Sequence, residues 1–281
     1  MMSINCTGRL VTFEVPRVMG ILNATPDSFF SGSRLGDDRD LLGKAEKMLR
    51  DGATFLDIGG QSTRPGSEMI DAEEEARRVL PAVEMIAKHF PQALVSIDTF
   101  YATVARQAVD AGACMINDVS AGTIDPLMIQ TVAALSVPYV LMHMQGLPRN
   151  MQQEPAYNDV VLEVYDALNK KLYELRELGV KDVIIDPGFG FGKTAAHNFQ
   201  LLGGLEYLGT LGQAILIGLS RKGTITKILN CKADEALNGT TVLNTVALLN
   251  GASILRVHDV KEAMEAVALV QAFKNAEQQS K

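Results

Sequence analysis

Eight short apolar runs, each carrying a polar residue at or near its end and each followed by a stretch of helical character, recur along this chain of 281 residues. They are RVMGILN (17–23), TFLDIGG (54–60), LVSIDT (94–99), CMINDV (114–119), VPYVLMH (137–143), DVIIDPG (182–188), AILIGLS (214–220) and SILRVHD (253–259). Apolar residues on consecutive positions, flanked by Gly or Pro, mark strands buried on both faces. Between the runs the chain has helical punctuation. Asp71 stands as an N-cap before the acidic first turn Glu73–Glu75, and Pro81 is expected to kink or restart that helix. Residues 156–178 and 259–275 carry apolar positions at helical spacing. Gly52, Gly112, Gly179 and Gly251 each precede the next run, where a helix C-cap needs a left-handed residue. No linker, low-complexity tract or composition shift divides the chain. Eight βα units in succession predict an α/β fold, a (β/α)8 TIM barrel filling residues 1–281 as one domain. An open doubly wound sheet is the alternative. Residues 1–16 read as an N-terminal extension, in which GRLVTFEVPR suggests a short β-hairpin able to plug the barrel bottom.

Composition narrows the classes. A chain 47% hydrophobic and 21% charged suits a soluble globular protein. The net charge of −7 argues against nucleic-acid binding but not against an anionic substrate, which meets only the local charge of its pocket. The longest apolar candidate for a membrane span, residues 240–257, is broken by Asn244, Asn250 and Gly251. The start has no basic segment leading into an apolar core, so no secretory signal is expected. Cys6, Cys114 and Cys231 form no CxxC pair and read as buried free thiols of a reducing, cytoplasmic compartment.

In such a barrel the C-terminal strand ends meet at one mouth. Asn23, Asp57, Asp98, Asn117, His143, Asp186, Ser220, Arg256 and His258 would then share a concave surface, although each alone serves equally well as a helix cap or surface polar residue. The string DPGFGFGKT is not a phosphate loop, because Pro187 occupies the position of the first Gly. Nor is it a dinucleotide fingerprint, because Lys193 replaces the third Gly. Asp186 beside Phe189 and Phe191 suits a flat heterocycle whose edge offers two parallel N–H donors; the alternative makes both rings core and Asp186 a cap. GLSRKGTI (218–225) lacks the last Gly of a nucleophile elbow. Its Ser220, Arg221 and Lys222 stand where a strand enters a helix, a place for an anion. STRPG (62–66) adds a hydroxyl and a guanidinium, and Arg256 and His258, two apart, read as an anion clamp suited to phosphate. Four histidines without ligand spacing argue against a caged transition metal. Mg2+ carried in by phosphate fits better.

These stretches, GILNATPDSF, FLDIGGQSTRPG, VSIDTF, INDVSAG, LMHMQG, VIIDPGFGFGK, GLSRKG and RVHDV, stand in order over essentially the whole chain. In them the chain resembles the dihydropteroate synthase family of bacterial folate synthesis. The resemblance implies a TIM-barrel transferase, a homodimer with Mg2+ as cofactor. It would join 6-hydroxymethyl-7,8-dihydropterin diphosphate to p-aminobenzoate by an SN1-like displacement, yielding 7,8-dihydropteroate and pyrophosphate. It also implies that Asp98, Asn117, Asp186 and Lys222 bind the pterin edges, with Met142, Phe191 and Arg256 around its faces. Asn23, Arg256 and His258 would take the diphosphate, with Mg2+ on Asn23. Phe29, Thr63, Arg64, Pro65, Phe191, Ser220 and Lys222 would surround p-aminobenzoate. Lys222, Arg256, His258 and Asp98 would carry the catalysis.

The same resemblance makes NATPDSFFSGSR (23–34) a mobile lid that closes with the QSTRPG loop and excludes water, which accounts for aromatics on a polar loop. One position departs from the family's usual writing of this loop: Ser31 stands where an Asp is expected, so Asp37 or Asp38 would substitute, or Asn23 and water would suffice. Two rivals share parts of the pattern: a methyltetrahydrofolate-dependent methyltransferase domain, which would not need the SRK or RVH segments, and a non-catalytic pterin-binding paralogue.

Overall fold

The structure, a computed structural model, describes residues 2–24, 34–61, 69–146, 151 and 154–279, with residues 34–38 and 278 described by their backbone alone. The eight apolar runs become eight parallel strands: β3 (Arg17–Asn23), β4 (Phe55–Gly59), β5 (Leu94–Asp98), β6 (Met115–Asp118), β7 (Tyr139–Met142), β8 (Val183–Asp186), β9 (Ala214–Ile217) and β10 (Ile254–Val257). They close in the order β10-β3-β4-β5-β6-β7-β8-β9, which selects the closed barrel over the open sheet. A two-stranded antiparallel hairpin, β1 (Ser3–Cys6) and β2 (Arg9–Thr12), precedes them.

Helices fill the intervals: α1 (Arg34–Arg50), α2 (Ala72–His89), α3 (Ala102–Asp110), α4 (Met128–Leu135), α5 (Val160–Glu177), α6 (Ala195–Gly203), α7 (Leu205–Gly209), α8 (Gly223–Leu229), α9 (Leu237–Leu249) and α10 (Val260–Gln279). Asp71 caps α2 by accepting the Glu74 N–H, and Asp159 caps α5 through the N–H groups of Val161 and Leu162. Each satisfies donors that the first helical turn leaves open. The four glycines before strands all take positive φ, as expected of C-caps.

Three expectations need correction. Pro81 lies inside α2, and the helix continues through it rather than restarting, with its inner face, Glu75, Val79, Ala82, Val83 and Ile86, buried on both sides of the proline. The hairpin starts earlier than GRLVTFEVPR suggests. Its turn is Thr7-Gly8, both with positive φ, and the Asn5 side chain accepts the Gly8 N–H, a two-residue turn of the kind that suits antiparallel strands. Cys231 is only half-buried, whereas Cys6 and Cys114 are buried.

The inner face of the barrel changes character with height. At the bottom, Met19, Phe55, Leu94, Met115, Val140, Ile184, Ala214, Leu216 and Ile254 form one apolar cluster with Ile4, Cys6 and Val11 of the hairpin. The hairpin is thus a plug, and Arg9 fastens it to the Pro91 and Gln92 carbonyls. Two residues further along each strand, on the same face, Phe55 gives way to Asp57, Met115 to Asn117, Val140 to Met142, Ile184 to Asp186 and Ile254 to Arg256. The outward residues, among them Val18, Leu56, Ile97, Leu141 and Ile185, pack under the helices in a second, larger core. A dry floor therefore lifts one layer of polar side chains to the mouth.

Candidate active site

That polar layer is stitched together across the strands. Asp57 is fully buried; its Oδ2 accepts from Asn117 Nδ2 at 3.0 Å and from Arg256 Nε at 2.6 Å. Arg256 Nη2 donates to Asp98 Oδ2 at 2.5 Å. One guanidinium on β10 thus joins carboxylates on β4 and β5, residues that the chain separates widely. Burial alone would lower the Arg256 pKa, but the Asp57 and Asp98 carboxylates outweigh it and hold the group above its ordinary value. Burial pushes Asp98 up to about 7; Arg256 opposes this, and Asp57 and Asp118 add to it. Asp57 Oδ1 finds no partner among the described residues.

Across the mouth, the loop from β8 to α6 supplies the other wall. Asp186 Oδ1 accepts the Gly188 N–H at 2.7 Å, and burial raises its pKa against the pull of Lys222. Lys222, the residue before α8, reaches back: its Nζ donates to the Phe189 carbonyl at 2.6 Å and lies 4.7 Å from the centre of the Phe191 ring. Such a cation over a ring face is attracted by the ring quadrupole. Burial lowers Lys222 to about 8, with Asp186 resisting. Phe191 and Met142 are buried in one small apolar cluster with Phe100, Val119 and Met151. Apolar walls with carboxylates, an amide and an ammonium at their edges can grip a flat ring by its polar rim.

Ser220 lies beyond the end of β9, and its hydroxyl pairs with His258 Nδ1 at 2.9 Å, so residues expected to meet different substrates touch each other. Arg221 is paired with Asp259 at 2.6 and 2.9 Å, so its charge is matched by a carboxylate. Asn23, exposed at the end of β3, and His258 border a cleft of about 310 Å³ whose other side is α1, with Leu41, Lys44, Lys47 and Met48. Phe29, Ser31, Thr63, Arg64 and Pro65 lie outside the described residues, as do the side chains of Asp37 and Asp38. The stretch that follows residues 62–68 is anchored: Gln61 Oε1 accepts the Ile70 N–H at 2.6 Å, and Tyr101 Oη donates to the Ile70 carbonyl at 2.7 Å.

Three groups near the site went unread in the sequence. Asp118 looks like a neighbour of Asn117, yet it accepts from Ser120, Gly122 and the buried Tyr139 hydroxyl, shaping the turn behind Asn117. Lys193 seemed only the residue that spoils a fingerprint, but it is buried behind Asp186. Glu75 hides in an acidic first turn that reads as solvated charge. It is fully buried, and its Oε2 accepts from Thr99 Oγ1, next to Asp98, at 2.5 Å.

Residues 19–258 match the family described as Pterin binding enzyme. The chain is 39% identical over 279 residues to the dihydropteroate synthase of Escherichia coli (strain K12), covering 99% of this chain and 98% of that relative. It is 40% identical over 277 residues to that of Haemophilus influenzae, covering 98% and 100%. Among solved structures, Yersinia pestis dihydropteroate synthase in a sulfonamide drug complex superposes with TM-score 0.92 at 39% identity, covering 98% of this chain and 100% of that one. The Xanthomonas albilineans enzyme in complex with 7,8-dihydropteroate gives 0.87 at 39% identity, covering 97% and 98%.

Glu75 generates a prediction about stability. Burial raises its pKa from 4.5 to about 7, against the Thr99 hydrogen bond. The folded chain therefore keeps a proton that the unfolded chain releases between those values, so this group's contribution is present below about 4.5 and is lost as pH rises through about 7. Glu75→Gln keeps an acceptor for Thr99 but cannot ionise. Denaturant midpoints at pH 5 and pH 8 should show the variant gaining on wild type by about 2 kcal/mol across that interval. An unchanged gap would mean that Glu75 ionises without cost.

Proposed function

The chain belongs to the dihydropteroate synthases of the pterin-binding enzyme family, and from that membership we propose how its barrel mouth joins 6-hydroxymethyl-7,8-dihydropterin diphosphate to p-aminobenzoate. The observation that carries the reading is the convergence of Asp98, Asn117, Asp186, Lys222 and Arg256 on one mouth with the Phe191 ring. The X. albilineans enzyme, 39% identical, is known in complex with 7,8-dihydropteroate.

In this proposal the pterin lies between the Arg256 and Phe191 sides. Asp186 accepts from the paired N–H donors of its amidine-like edge, as a carboxylate does in bidentate pairing. Asp98 and Asn117 complete the edge, and Lys222 donates to the ring's acceptors. The diphosphate extends toward Asn23 and His258. The C–O bond from the pterin methylene breaks with its electron pair leaving on pyrophosphate, and the electron-rich ring shares the positive charge left behind. Arg256 and His258 stabilise charge growing on the leaving group, the kind of preorganised electrostatics that dominates many active sites. The neutral arylamine of p-aminobenzoate attacks, a C–N bond forms, and the amine proton departs to solvent. No strong base is needed, and holding both reactants together supplies much of the remaining acceleration. Ser220 and the residues after it would meet the p-aminobenzoate carboxylate, with Phe29, Thr63, Arg64 and Pro65 closing the pocket.

No group of three His, Cys, Asp or Glu that could hold a metal occurs among the described residues. The neutral amide of Asn23, exposed at the end of β3, fits Mg2+ that arrives on the diphosphate and keeps most of its waters. Bound there, Mg2+ would neutralise the leaving group. The unpaired thiols suit the cytoplasm, and no helix among the described residues is long and apolar enough to cross a membrane.

We also propose a homodimer. On α9, Val242, Val246 and Leu249 form an exposed stripe at helical spacing, and on the adjoining α10, Leu269 and Phe273 are 73% and 52% exposed. Neighbouring helices that both show apolar residues outward suit a self-complementary partner.

Three measurements test the reaction and the dimer. Sustained pyrophosphate release from the pterin diphosphate should be accelerated by p-aminobenzoate, stop on chelation and return with Mg2+. Lys222→Ala and Arg256→Ala should each lose at least about 100-fold in kcat/KM, the scale of removing one preorganised charge contact, with circular dichroism unchanged. Steady-state release that p-aminobenzoate does not accelerate, or wild-type turnover in both variants, would refute the assignment. For the dimer, Leu269→Glu combined with Phe273→Glu should give monomers by light scattering where wild type gives dimers; a monomeric wild type would contradict it.

A further inference from the structure

Lys193 is a buried cation that the reaction as proposed leaves unused. It is 2% exposed, and its Nζ is surrounded by four acceptors, none of them a carboxylate. They are His143 Nδ1 at 2.9 Å, the Gly188 and Phe191 carbonyls at 3.0 Å each, and the His143 carbonyl at 3.3 Å. An ammonium has three donors, so these acceptors satisfy the charged side chain fully. Such an arrangement is costly to build for simple space-filling, since a buried cation loses its hydration.

Its partners are chosen from both sides of the mouth wall. Gly188 is gripped at both ends: its N–H fixes Asp186 Oδ1 at 2.7 Å, while its carbonyl is held by Lys193. Phe191 is held by its carbonyl, while its ring lies 4.7 Å from Lys222 Nζ. His143 follows the last residue of β7, so Lys193 ties this loop to the neighbouring strand. The contact between the two segments is too close for any side chain on the loop glycines. A Cβ on Gly188 would stand 1.9 Å from the His143 carbonyl oxygen, and one on Gly192 would stand 2.2 Å from that of Gln145. Burial lowers Lys193 to about 7, with Asp186 opposing and Lys222 adding. Burial takes His143 down to about 3, so its ring is neutral and Nδ1 can accept.

We propose that Lys193 is a positioning residue for the pterin subsite: by holding the Gly188 and Phe191 carbonyls against the end of β7, it fixes the Asp186 carboxylate and the Phe191 ring where the pterin is received. This rests on the assignment of Asp186, Phe191 and Lys222 to the pterin.

The test measures binding of 6-hydroxymethylpterin by calorimetry to wild type, Lys193→Met and Lys193→Gln, with steady-state kinetics for both substrates. Met keeps the stem and removes the ammonium; Gln restores two donors. Lys193→Met should bind the pterin at least tenfold more weakly, and Lys193→Gln at least threefold. The KM for p-aminobenzoate at saturating pterin substrate should shift less than the pterin affinity, with circular dichroism unchanged. Pterin affinity within twofold of wild type in Lys193→Met would overturn the inference, as would equal losses toward both substrates. If Lys193→Met fails to fold, Lys193→Gln decides by the same twofold criterion. A wild-type protein that does not bind the pterin would instead refute the functional assignment beneath it.

Discussion

A guanidinium inside a barrel is tolerable only when its charge is matched, and Arg256 is matched twice. Its Nε and Nη2 hold Asp57 and Asp98, and Asp57 holds Asn117 in turn. Removing one member of such a buried pair typically costs about 3–5 kcal/mol, because the partner charge is left stranded. Without Arg256, two carboxylates would face each other across adjacent strands, and without Asp57 the guanidinium would lose its deepest anchor. The pair uses only part of the five-donor fork. What remains can meet a ligand without the group having to move.

This charge cluster can exist because of what lies beneath it. The bottom of the barrel is sealed by apolar side chains and by the hairpin plug, so water reaches the polar layer only from the mouth. Low local polarity strengthens every charge contact there, and it also sets the pKa values: Asp98 is carried up to about 7 and Lys222 down to about 8. Groups poised so close to neutrality can answer a ligand's hydrogen-bond pattern with small free-energy cost.

Much of this was legible in the sequence, for specific reasons. Strands buried on both faces write themselves as continuous apolar runs, so the eight-fold βα beat could be read directly, while closure into a barrel over an open sheet came from the strand order. Polar residues that interrupt those runs, such as Asp57, Asp98 and Asn117, stand out because nothing else in a buried strand calls for them. Three things could not be read. The hairpin turn depends on positive φ at Thr7 and Gly8, which a short TG pair signals weakly. Arg221 and Lys222 are adjacent and chemically alike in the string SRK, but they leave the backbone in different directions, one to Asp259 and one to the Phe189 carbonyl. Glu75 and Lys193 sit in contexts that normally mean solvent, an acidic helix start and a Gly-Lys turn. Only three-dimensional packing reveals that both are buried.

The proposed reaction requires a flat bicycle to fit among Asp98, Asn117, Asp186 and Lys222, beside the Arg256–Asp57 pair. A crystal structure of the protein soaked with 6-hydroxymethylpterin addresses this most directly. Density for the ring within hydrogen-bond distance of the Asp186 carboxylate and Asn117, with Lys222 at its rim, is the expected result. A ring bound outside the barrel mouth, or a mouth that stays empty while the ligand binds elsewhere, would contradict it.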